Sequence, residues 1–63
     1  MKDMEVVYKS KDGNYRVLYS MWDLGDKYKV QKKNEYGHWC YMAAADNPLS
    51  ALNIMKRAAK EDI

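Results

Sequence analysis

The sequence predicts an α+β fold: a four-stranded antiparallel β-meander with one C-terminal α-helix packed on one face. Three observations lead there. Asp12-Gly13 divides two β-rich runs, Lys27 to Lys33 alternates apolar and polar residues, and from Leu49 the apolar spacing becomes helical. Short connections between the strands favour a meander, and the helix then covers one side of the sheet.

The first hairpin is built from MEVVYKS and NYRVLYSM. Asp-Gly suits a two-residue turn, because both central positions of a type I′ turn need positive φ. With Asp12 and Gly13 as those residues, Lys11 faces Asn14, Tyr8 faces Val17, Val6 faces Tyr19 and Met4 faces Met21. The three apolar pairs then share one face. The other face takes Glu5, Val7, Lys9, Arg16, Leu18 and Ser20, with Lys9 opposite Arg16, a mildly unfavourable like-charge pair.

Residues 22–26, WDLGD, form a connection in which Gly25 supplies turn geometry. In the third strand Tyr28 and Val30 point one way, while Lys27, Lys29, Gln31 and Lys33 point the other. Asn34 to Gly37 makes a turn and residues 38–43 the fourth strand. Trp39, Tyr41 and Ala43 are expected on its core side, with His38, Cys40 and Met42 opposite. Asn47 is a suitable N-cap and Pro48 suits the first helical position. Ala51, Leu52, Ile54, Met55, Ala58 and Ala59 fall in an arc of roughly 160°, with Leu49 the apolar exception outside it. The expected core is Val6, Tyr8, Val17, Tyr19, Tyr28, Val30, Trp39 and Tyr41 beneath Ala51, Leu52 and Met55.

Residues 1–63 are read as a single small domain. The chain is 48% hydrophobic and 32% charged, a balance that suits a soluble globular domain near the lower size limit. It has no phenylalanine but six tyrosines and two tryptophans. Each tyrosine hydroxyl needs water or a partner, which favours a sheet covered on one face only. Cys40 is the single cysteine, so no intrachain disulfide can form and a reducing, cytoplasmic setting is expected. The N-terminal stretch is charged throughout and does not read as a signal peptide. No apolar run approaches the ~20 residues of a membrane span, so no membrane partner is expected.

GHWCYM, residues 37–42, holds the residues with most chemical potential. On a regular strand His38, Cys40 and Met42 share a face. A copper site of that kind requires a second histidine, and a structural zinc site usually requires four Cys or His ligands. A Cys40–His38 nucleophilic pair lacks a third orienting group and an oxyanion loop. Gly13, Gly25 and Gly37 stand apart and cannot form a phosphate-cradling loop. Asp23 and Asp26 beside Gly25 lack the spacing of a calcium loop. No catalytic residue, metal, cofactor or small-molecule substrate is expected, and the chain is not read as an enzyme.

A surface remains. The face away from the helix gathers Lys9, Arg16, Lys27, Lys29 and Lys33, with Glu5 as its one acid, so it carries about +4 where the whole chain carries +2. An anionic partner relieves the Lys9–Arg16 apposition. The plainer reading is a solvated sheet face whose lysines deter edge pairing. Leu18 on the same face and Trp22 at the end of the second strand add apolar surface, a mixture that suits a protein interface. The partner-binding set is therefore Lys9, Arg16, Leu18, Trp22, Lys27, Lys29 and Lys33. The expected function is a small binding module acting by protein–protein contact, in the style of the accessory or inhibitor-like proteins of phages and mobile elements. The alternative is a nucleic-acid-binding module using the same basic face, for which +2 is a weak excess.

Overall fold

A computed structural model describes residues 4–21 and 24–61. The chain runs β1 (Met4–Lys9), β2 (Tyr15–Ser20), β3 (Tyr28–Lys33), β4 (Trp39–Ala45) and α1 (Pro48–Ala59). The strands form one antiparallel sheet in the order β1-β2-β3-β4, and α1 packs against β2, β3 and β4. This is the ββββα meander that the alternation and short connections predict.

The helix begins where its residues dictate. Asn47 is extended, and its side-chain oxygen accepts the Ser50 N–H at 2.8 Å, satisfying one donor that has no partner within the helix. Pro48 follows at the start, where its missing N–H costs nothing. Lys60 ends the helix in a left-handed conformation, and its N–H returns to the carbonyls of Lys56 and Arg57. Ala51 and Met55 are buried against the sheet, and Leu49 is exposed as the arc requires.

The first hairpin differs from expectation at its tip. Ser10 N–H donates to the Tyr15 carbonyl at 2.9 Å, so the loop has four residues, Lys11 to Asn14. Gly13 has φ +77°, whereas Asp12 does not take a positive φ. Side chains explain the longer loop. The Ser10 hydroxyl donates to the Asp12 carboxylate and accepts the Tyr15 N–H, while Asp12 also accepts the Asn14 N–H. The third turn works the same way: Asn34 Oδ1 accepts the N–H groups of Tyr36 and His38, and Gly37 supplies φ +83°.

Two β-bulges set which side chains face the helix. Tyr8 pairs with Val17 and Lys9 with Arg16 as expected, but beyond the extra residue Val7 the partners become Val6–Leu18, Glu5–Tyr19 and Met4–Ser20. The expected Val6–Tyr19 and Met4–Met21 pairs do not form. In β4, Lys33 pairs with Trp39, Lys32 with Cys40 and Gln31 with Tyr41; beyond the extra residue Met42, Val30 pairs with Ala43 and Tyr28 with Ala45. An extra residue reverses the parity of everything past it. Val6, Trp39 and Tyr41 therefore leave the helix side for the open side, and Glu5 moves the other way. Val7 and Met42, the bulge residues themselves, pack against the core.

The buried core is Val17, Val30, Ala45, Ala51 and Met55. Tyr8, Tyr15, Tyr28, Ala43, Leu52 and Ile54 close around it, and the rings of Tyr19 and Tyr28 meet 5.2 Å apart. Ala43 and Ala45, not the aromatics of β4, lie under α1. Small side chains there let the helix approach the sheet closely.

Candidate functional site

The open face is best built row by row from the register. One row runs Lys9, Arg16, Gln31, Tyr41 across all four strands. The next runs Val6, Leu18, Lys29, Ala44. Lys33 lies beside Trp39, and Lys27 joins Ser20 where β3 begins. Lys9, Arg16, Lys27, Lys29 and Lys33 thus share one side, as the alternation predicts. With Glu5 turned to the other side, no acid stands among the described strand residues of this face.

Arg16 is the centre of the arrangement. Its guanidinium carbon lies 4.1 Å from the centroid of the Trp39 ring, and its Nε donates to Gln31 Oε1 at 2.8 Å. The Lys33 ammonium sits 5.1 Å from the centroid of the same ring. Both contacts use the negative ring quadrupole to hold cations in place. Partial burial lowers the pKa of Arg16, yet the group stays a cation because guanidinium does not deprotonate in proteins. Tyr41, in the same row, is 68% exposed. Met4 and Val6 add exposed aliphatic surface at the β1 end.

Two members of the expected binding set stand differently. Leu18 is on this face but only 6% exposed, so it presents almost no surface and serves as floor. Trp22 lies outside the described residues. Gln31 lies on this face as the alternation of β3 predicts, whereas Trp39 and Tyr41 also belong to the site and were not legible as such. The one clue was size, since two large aromatics and two alanines do not support one straight helix at one depth.

Cys40 and Met42 turn to the helix side, opposite Trp39 and Tyr41, and His38 precedes the strand. Met42 packs on the core, His38 lies in the turn, and the exposed Cys40 thiol is 3.6 Å from the Asn34 side-chain nitrogen. A groove beside β4 is lined by Tyr36, Cys40, Tyr41 and Met42. Among the described residues no helix is long and apolar enough to cross a membrane. No family model, curated protein or solved structure matches the chain.

Proposed function

We propose that the protein is a small non-enzymatic binding module that acts by protein contact through the open sheet face. The observation that carries this reading is the grouping of Arg16, Trp39 and Tyr41 within a field of lysines. Arginine, tryptophan and tyrosine are the side chains that most often dominate interface energetics. Arg16 and Trp39 are already held against each other, so little conformational freedom is lost on binding. Met4 and Val6 supply aliphatic contact, and the lysines steer an acidic surface into place. Such a module acts by occupying its partner's surface, in the manner of accessory or inhibitor-like proteins of phages and mobile elements. A second reading is favoured by one observation. Among its described strand residues the face combines cations without acids and an exposed Tyr41 ring, which also suits a single-stranded nucleic acid.

The test is capture from cell lysate by the tagged chain, with and without nuclease, beside a Tyr41→Ala/Arg16→Glu variant. A protein kept after nuclease and lost by the variant supports protein contact. A protein kept equally by the variant contradicts use of this face, and loss on nuclease treatment moves the assignment to nucleic acid.

A further inference from the structure

Arg16 has an arrangement that goes beyond general basicity. Guanidinium presents its N–H donors in a planar fork. Here Nε is committed to Gln31, the plane is held over Trp39, and no carboxylate pairs with the group among the described residues. Among the described residues the donors on the two terminal nitrogens have no partner. Lys9 is directly opposite in register and Lys33 shares the Trp39 ring, so repulsion between like charges persists until an anion arrives.

We infer that Arg16 is a preformed receptor for a carboxylate, and that it takes an Asp or Glu side chain from an acidic segment of a partner protein. This rests on the protein-contact reading above. A planar carboxylate matches the planar fork with two parallel hydrogen bonds, a geometry that lysine does not offer. Gln31 and Trp39 are positioning residues: they fix the fork before the partner binds. The choice of a protein carboxylate over a phosphodiester follows from Met4 and Val6, exposed at 46% and 37% on the same face. A peptide segment brings apolar side chains to cover them, and a sugar–phosphate backbone does not.

The experiment titrates the isotope-labelled chain with hexaglutamate, and in parallel with oligothymidylate and with sodium phosphate. The Arg16 Nε–H and Trp39 indole N–H resonances are followed. With hexaglutamate both should shift and saturate, and Arg16→Lys should weaken the binding about 10- to 100-fold. Gln31→Glu should abolish it too, because the new carboxylate fills the fork from within; its preserved amide spectrum guards against unfolding as the cause. Undiminished affinity in both variants, with the Tyr41 and lysine amides still shifting, would overturn the fork while leaving the binding face intact. Saturation by oligothymidylate or phosphate at lower concentration than hexaglutamate would overturn the carboxylate preference. Shifts absent from the whole face with hexaglutamate would remove both the fork and the charge argument for the face.

Discussion

Trp39 stands between two cations, with Arg16 at 4.1 Å and Lys33 at 5.1 Å from its ring centroid, on the side of the sheet that α1 does not cover. Contacts of this kind contribute about 0.5–1 kcal/mol each at exposed sites. Met55, by contrast, is 1% exposed on the inner side of the helix. Trp39→Ala should therefore leave a folded chain that has lost about 1–2 kcal/mol, while Met55→Ala should cost about 2–5 kcal/mol through lost burial and a cavity. Thermal melting of the two variants checks the order; a greater loss for Trp39→Ala would place its ring in the core. Asp12 gives a pH prediction. The Ser10 hydroxyl, with help from the Asn14 N–H, holds its carboxyl below the ordinary 3.8. A depressed carboxyl stabilises the folded loop above its ordinary pKa, and that contribution is lost as pH falls through the lower folded value. Amide exchange at Asn14 and Tyr15 should accelerate in that acid window, and in Asp12→Ala it should be fast already at neutral pH.

At the scale of elements, the outer strands carry the bulges and the inner ones are regular. Bulges on β1 and β4 twist the free edges and discourage pairing with another chain. Deleting Met42 should force one of two outcomes: Trp39 and Tyr41 swing under α1, or Ala43 and Ala45 leave it. Neither fits the helix, so the deletion should abolish a sharp thermal transition; a well-dispersed amide spectrum with native stability would contradict the assigned register. The same bulges mark the limit of what the sequence reveals. In β3, Tyr28 and Val30 alternate with Lys29 and Gln31, so only one parity buries the apolar pair. In β1 and β4 the runs Val6-Val7-Tyr8 and Trp39-Cys40-Tyr41-Met42-Ala43 are apolar on both parities, so alternation cannot show where parity breaks. The helix was legible because Asn47-Pro48 fixes its start and the alanines fix its face. The basic half of the site was legible because Arg16 and the lysines lie on regular stretches, and its aromatic half was hidden behind Met42.

The whole molecule carries +2, yet Lys9, Arg16, Lys27, Lys29 and Lys33 lie on one side of a sheet whose opposite side is taken by α1. On the proposed reading, charge distribution, more than net charge, sets how a partner approaches. Lys9→Glu with Lys27→Glu should weaken partner binding by about tenfold or more, mainly by slowing association. Lys56→Glu with Arg57→Glu on α1 should leave it nearly unchanged. Both double variants should lose no more than about 1–2 kcal/mol, because Lys9 and Arg57 are exposed, Lys27 and Lys56 are only half-buried, and the last helical turn favours cations modestly. Surface plasmon resonance against the captured partner at two salt concentrations separates the association effect from any loss of contact. The most direct measurement is the amide-shift footprint of that partner on the isotope-labelled chain. The predicted footprint is contiguous over Lys9, Arg16, Gln31, Lys33, Trp39 and Tyr41, with the outer side of α1 unmoved. A footprint centred on Ser50, Asn53 and Arg57 of the helix, with the sheet unmoved, would contradict it.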